Sequence, residues 1–207
     1  MRSFDSNTLA ALSADSLIVR SLVFVRGKTL AGATKTFGFW NGEDDVSITV
    51  TSAIDGASES RTYIGGGSLL AIDPIPLRIG LEVRTINATM SQIYATVQDM
   101  VRGNNIRHAV VEIHRALFNV STGQLVAPPY ARFLGKVNTS PVNTPRAGDE
   151  GSVVFGCVSN TRELTRANTA LKSDETQKLR SGDRARRYVG VAAQWPVWWG
   201  EAQGGDS

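Results

Sequence analysis

The sequence holds one cysteine and two histidines in 207 residues, and that scarcity removes several kinds of chemistry at once. A lone cysteine cannot close an internal disulfide or supply the thiolates of a zinc or iron-sulfur centre. Cys157 stands in the apolar run Val153-Val154-Phe155-Gly156-Cys157-Val158, where a free thiol behaves as a small buried hydrophobe. No stretch approaches the roughly 20 apolar residues that a helix needs to cross a bilayer. The opening MRSFDSNTLAALSAD has no continuous apolar core of signal-peptide length. Synthesis and assembly in a cytosol are therefore expected, and the Asn-X-Ser/Thr triplets at Asn87, Asn119 and Asn138 carry no weight as glycosylation sites.

Catalytic signatures are missing as well. Gly65-Gly66-Gly67 lacks the lysine and hydroxyl of a phosphate-binding loop and the spacing of a dinucleotide fingerprint. Gly67-Ser68-Leu69 has no glycine two residues after the serine, so it is not a nucleophile elbow. Glu43, Asp44 and Asp45 lack the ligand spacing of a calcium loop and read as a solvated turn. No nucleophile motif surrounds either histidine and no carboxylate pair stands in a recognisable frame. No enzyme activity, cofactor or metal is expected.

What is present suits an ordinary folded protein: 42% hydrophobic and 20% charged residues at a length that supports one sizeable core. Asp5 or Ser6 can cap a short helix through Leu9 and Leu12, and Leu17 to Val25 changes to a β-rich run. Thr36 to Trp40 and Val46 to Val50 both alternate, and Asn41-Gly42 between them favours the positive φ of a tight turn, which predicts a hairpin. Arg61 to Ile64 reads as a short strand ended by the glycines, and Leu81 to Ile86 as another after Pro74 and Pro76. Ile93, Val97, Met100 and Val101, widened by Tyr94 and stopped by Gly103, carry helical spacing. Met90 and Met100 are expected core fillers. Ile106 to Asn119 is a long β pattern with Val111, Ile113, Arg115 and Leu117 on one parity. His108 and His114 share the other face, about 20 Å apart on a regular strand, too far to hold one metal ion together. Ser121-Thr122-Gly123 turns the chain toward a strand over Tyr130 to Val137, and Ser152 to Val158 is a short buried strand. These elements predict a mainly β fold, a barrel or sandwich, with one packed helix near 89–102 and short terminal helices. Residues 1–16 form an arm and 17–195 a β-rich domain with a candidate internal boundary over 138–151. Residues 196–207 form a tail.

The most unusual segment is LKSDETQKLRSGDRARRYVGVAAQWPVWWG, Leu171 to Gly200. Asp174 with Gln177 three residues on can cap a helical turn that Gly182 ends, and Val189 to Ala193 reads as packed structure. Lys178, Arg180, Arg184, Arg186 and Arg187 precede Trp195, Trp198 and Trp199. Arginine and tryptophan dominate the energetics of protein interfaces, and each indole can bury about 150–250 Å². These eight side chains are the candidate subunit interface. The net charge of +3 is concentrated toward this end, which suits either an acidic protein surface or nucleic acid.

Four places resemble one family in sequential order: Leu77 to Arg84 (LRIGLEVR); Gln98 to Gly103 followed by Ile106 to Arg115; Tyr130 to Val137 (YARFLGKV); and Lys172-Ser173-Asp174 with Gln177 and Gly182-Asp183. The order resembles the tail-tip or baseplate hub proteins of long-tailed bacteriophages and gene transfer agents, the group that includes the lambda-type tail-tip protein. That resemblance implies a β-rich, ring-forming virion protein joining the sixfold distal tail tube to the threefold hub or central fibre. It would be assembled in the host bacterial cytoplasm as a homo-oligomer, three copies favoured for a hub and six for a distal ring. Genome DNA would pass through its channel. The chain departs from the lambda-type member in lacking the terminal cysteine cluster, so no iron-sulfur cofactor carries over. Beside this stands the alternative of a nucleic-acid binder, in which the basic run contacts phosphates and neighbouring aromatics stack on bases.

Overall fold

The computed structural model describes residues 4–14, 16–76, 80–146, 151–167, 170–192 and 194. The chain divides into two units, Met1–Thr165 and Arg166–Ser207. The stretch 138–151, expected as a candidate boundary, lies within the first.

The first unit is mainly β, as its alternating sequence predicts, and its principal sheet is a curled half-barrel. After helix α1 (Ser6–Leu12) the strands are β1 (Ile18–Thr29), β2 (Thr34–Trp40), β3 (Val46–Thr51), β4 (Ser58–Tyr63), β5 (Leu69–Ile72) and β6 (Thr85–Ser91). Helix α2 (Ala95–Arg102) follows, then β7 (Asn104–Phe118), β8 (Tyr130–Thr139), β9 (Val142–Asn143) and β10 (Ser152–Ser159). A 3-10 turn, Asn160–Thr165, closes the unit. The large sheet runs β2-β1-β7-β8-β10-β6-β5, with β9 beside β10, while β3 and β4 form a separate antiparallel hairpin.

Two apolar clusters result. The first fills the curl: Val23 and Val25 of β1, Phe37 and Phe39 of β2, Val111 and Ile113 of β7, and Phe155 and Cys157 of β10, with Val97 and Met100 of α2 packed among them. Fully burying one such aromatic or large aliphatic side chain is worth about 1.5–3 kcal/mol. The second lies on the outer face of β1 and β7, where Leu22, Phe24, Trp40 and Ala116 meet Ile48, Val50 and Tyr63 of the β3–β4 hairpin. β1, β2 and β7 are therefore covered on both faces.

The predicted β2–β3 hairpin does not form. β2 pairs with β1 over seven residues, from Leu22 opposite Trp40 to Lys28 opposite Thr34, after a turn in which Gly32 takes a φ of 89°. β3 pairs instead with β4. Neither Asn41 nor Gly42 has positive φ. Gly42 serves a different end: the Trp40 ring passes 2.2 Å from where a Cβ would stand, and the indole donates to the Asp44 carbonyl at 2.7 Å. Gly38 is likewise a close approach, since a Cβ there would lie 2.2 Å from the Thr62 carbonyl oxygen. Beyond it Ile64 hydrogen-bonds to β2, donating to Gly38 O at 3.0 Å and accepting from Trp40 N at 3.1 Å. A few residues on, past Gly66 and Gly67 at φ of 60° and 84°, the chain enters β5 at the opposite edge of the sheet.

Three further expectations shift in detail. The strand predicted over 81–86 begins at Thr85 and runs to Ser91, because β10 pairs with it from Thr85 to Ser91; Leu81 is exposed. The helix predicted near 89–102 accordingly starts at Ala95, with Val97 and Met100 buried as expected and Ile93 outside it and exposed. In α1 it is Thr8 that is buried, while Leu9 and Leu12 are exposed.

Candidate functional site

The predicted interface segment falls in the second unit. Helix α3 (Asp174–Lys178) is capped by Ser173, whose Oγ accepts from Thr176 N at 3.3 Å, so the cap lies one residue before the predicted Asp174. Gly182 takes a φ of 74° and donates to Lys178 O at 3.0 Å, ending the turn as its sequence position suggests. Asp174, freed from capping, instead gathers cations: Arg184 donates to its Oδ2 at 2.7 Å and Lys178 lies 3.8 Å away. The Arg184 hydrogen bond holds the Asp174 carboxyl below its ordinary value and raises the Arg184 guanidinium. Lys178 also reaches Glu175 at 2.5 Å, and Gln177 donates to Asp183 at 2.8 Å.

Of the five predicted basic residues, Lys178 and Arg184 are thus engaged within the segment. Arg180, Arg186 and Arg187 make no ion pair among the described residues; Arg187 lies 5.4 Å from the Tyr188 ring centroid. Trp195, Trp198 and Trp199 lie outside the described residues. The apolar stretch expected to be packed structure is helix α4 (Val189–Ala192), and it is not packed: Val189 and Val191 are exposed. Four residues give a single turn with no second face to bury, and across 170–192 no described residue is buried.

A second constellation escaped the sequence reading. Between the sheet and the β3–β4 hairpin lie Glu112, His114 and Arg61, with side chains 1%, 0% and 2% exposed. Glu112 accepts from Arg61 Nη2 at 3.1 Å and from Ala53 N, in the hairpin turn, at 2.7 Å. Arg61 donates through Nε to Glu59 at 2.9 Å and stacks 4.0 Å from the Phe24 ring centroid; Glu59 in turn meets Arg26 at 3.4 Å. Burial works against the Arg61 charge, but the hydrogen bond and charge of Glu112, with the Glu59 hydrogen bond, outweigh it and hold its pKa above the usual value. Burial pushes the nearby Tyr63 phenol up to about 12.

His114 Nε2 lies 3.1 Å from the Thr51 carbonyl. A carbonyl only accepts, so Nε2 carries the proton and Nδ1 is bare in the neutral ring; that Nδ1 is buried without a partner, as are Arg61 Nη1 and Tyr63 OH. The expectation that His108 and His114 share a face fails, because β7 bulges between Asn105 and Val110 against β1. His108 sits in the bulge at a φ of 60° and is exposed, while His114 is buried. An open groove of about 730 Å³ runs past Arg61, lined also by Phe24, Arg26, Thr34, Thr36 and Glu59. The hydroxyls and paired charges of this lining can bind polar groups, but Arg61 already satisfies Glu112 and Glu59.

Cys157 is buried, and burial pushes its thiol pKa up to about 12. Among the described residues no three His, Cys, Asp or Glu side chains gather as metal ligands would, and no helix is long and apolar enough to cross a membrane. No protein-family model matches this chain, and no curated protein sequence matches it.

Proposed function

We propose that the chain is a structural assembly protein, a ring-forming subunit of a bacteriophage tail tip or baseplate that links the distal tail tube to the central hub or fibre. One observation carries the assembly role. Residues 170–192 bury no side chain among those described, yet they hold Leu171, Leu179, Tyr188, Val189 and Val191 in solvent beside Arg180, Arg186 and Arg187. Single exposed apolar residues are unremarkable, but a whole segment without a core is stabilised by whatever covers it. Arg186, Arg187 and the tryptophans beyond are the side chain types that anchor interfaces. The order of the four sequence matches is what narrows an assembly subunit to the tail-tip hub. A closed ring follows from heterologous contacts between copies, three for a hub and six for a distal ring.

Negative-stain microscopy with mass measurement of the purified chain tests this. A ring of defined copy number is expected, and a protein that stays monomeric at high concentration overturns the ring. Removing the residues after Val189 should abolish the ring and leave a soluble folded monomer; if the shortened chain unfolds, the aromatic end belongs to a core and the interface assignment fails. Arg180, Arg186 and Arg187, without ion pairs among the described residues, and the exposed Tyr188 beside Arg187 also suit nucleic acid. A salt-sensitive gel shift with DNA by a monomer would favour that alternative.

A further inference from the structure

The β3–β4 hairpin is fastened to the sheet by an apolar cluster, by the partly exposed Arg26–Glu59 ion pair and by three buried polar contacts, and one of those buried contacts can be switched. Glu112 grips the hairpin at Arg61 and at Ala53 N, and His114 grips it at the Thr51 carbonyl. His114 stands on strand β7 beneath the hairpin, 0% exposed, with Nδ1 bare and without a hydrogen-bond partner among the described residues. We propose that His114 is an acid-sensitive latch: neutral, it holds the β3–β4 hairpin down, and on protonation it releases the hairpin from the outer face of the sheet.

The physical reason is the fate of the second proton. Protonation occurs at Nδ1, turning a bare acceptor into a donor and placing a full charge at a site closed to water. The groups that face the ring decide whether that charge is accepted. From its own strand Glu112 lies 3.7 Å from Nε2 and attracts it, but both Glu112 oxygens are already engaged with Arg61 and Ala53. From β4, Arg61 repels it, with Glu59 behind Arg61 and paired to Arg26 of β1. From the hairpin turn the only carboxylate is Asp55, which accepts from Ala57 N at 3.2 Å. The Tyr63 phenol is neutral. From β8 the residue opposite His114 is Ala131, and from β1 it is Leu22; neither carries charge. Among the described residues, no element therefore supplies Nδ1–H with an acceptor.

Burial lowers the His114 pKa below its ordinary 6.5, against smaller opposing contributions from the Thr51 hydrogen bond and Glu112. The sign follows. Above 6.5 the ring is neutral whether the hairpin is docked or lifted, and the latch is fully closed. As pH falls below 6.5 the lifted form takes up a proton that the docked form refuses, so the docked state loses stability down to the lowered value. With one proton linked, the opening equilibrium rises by up to about tenfold per pH unit in that window. What opening exposes is the second apolar cluster, Phe24, Trp40, Ile48, Val50 and Tyr63, so acid would convert a covered sheet face into an adhesive one.

Hydrogen exchange of the full chain, followed as protection factors corrected for the intrinsic pH dependence, tests the latch. Between pH 7.5 and 5.5 the amides of residues 46–63 should lose protection several-fold, up to about tenfold, while those of β8 and β10 keep theirs. His114→Gln keeps a side-chain N–H for Thr51 and does not titrate, so its protection should be flat over the same range. Unchanged wild-type protection at pH 5.5 overturns the proposal, and so does an equal loss in H114Q. Should H114Q fail to fold, the imidazole shifts of wild-type His114 decide alone: a midpoint well below 6.5, coincident with hairpin opening, is expected, and a midpoint at or above 6.5 overturns the latch.

Discussion

Phe39 and Phe155 of the first unit are sealed from solvent, at 0% and 1% exposure, whereas Leu179 and Tyr188 of the second stand 87% and 65% exposed. The first unit draws its stability from two apolar clusters and from strands paired across long sequence separations. The described part of the second has neither, and rests on a cap, a glycine turn and ion pairs at the surface. Exposed ion pairs contribute at most a few tenths of a kcal/mol to about 1 kcal/mol each, and a helix of five residues is far shorter than the 12–15 or so that stand alone in water. One unit fixes its own conformation. The described part of the other rests on local contacts alone.

Core truncation should separate the two units most sharply. Phe155→Ala, at a position 1% exposed in the first cluster, is expected to cost about 3–5 kcal/mol of unfolding free energy in denaturant titration. Leu179→Ala in the second unit should stay within about 0.5 kcal/mol of wild type. A loss of several kcal/mol from L179A would mean that the second unit has a core after all.

Nearly as large is the expected effect of Glu112→Ala. Arg61 would keep its charge, its stacking on Phe24 and its burial while losing its best partner, and orphaning one member of a buried pair costs about 3–5 kcal/mol. The contrast with Asp174→Ala is the informative part: Asp174 also pairs with arginine, yet at the surface, and its loss should leave the unfolding midpoint of the β unit unmoved. Equal effects from the two substitutions would erase the distinction between a sealed pair and a solvated one.

Gly38→Ala should cost about 1–3 kcal/mol, since the added methyl would meet the Thr62 carbonyl oxygen at 2.2 Å and push β4 off β2. Its effect on the β3–β4 amides in hydrogen exchange should exceed that on β8 and β10. Uniform loss would place the strain elsewhere.

How much of this was legible in the sequence follows from the range of the forces involved. Helix α2 was readable because Val97, Met100 and Val101 repeat with the helical period and Gly103 stops them, all within a few residues. β7 and β8 declared themselves by long β-rich patterns and β10 by a short apolar run. The β2–β3 hairpin was misassigned because Asn41-Gly42 is a strong local signal, whereas β2 pairs over seven residues with β1 across the competing turn at Gly32. Glu112 and His114 were missed for a related reason. Their parity set them opposite Val111 and Ile113, and the layer that buries that face, β3–β4, comes from some 50 residues upstream. A hint was present: β7 carries apolar residues on both parities, Val110 with Val111 and Ala116 with Leu117, as a strand covered on both faces should. In the basic segment the local pattern assigned Asp174 the capping role. Ser173 took it because a hydroxyl can accept from Thr176 N without drawing a carboxylate away from two cations.

That division of labour between Ser173 and Asp174 yields the smallest effects. Ser173→Ala should cost about 1 kcal/mol of local helix stability, read from the chemical shifts of residues 174–178, with the first unit unaffected. Acid should act on the same turn through Asp174. Its carboxyl is held below the ordinary 3.8 by Arg184, so the contribution is whole above 3.8 and fades as pH falls from there through the folded value. Concentrated salt at neutral pH should loosen the Arg184 contact in the same way, because exposed charges are screened over about 3 Å at 1 M. If the turn keeps its shifts at pH 2 and in 1 M salt alike, then something other than its own charges is holding it, and the second unit has more internal structure than residues 170–192 display.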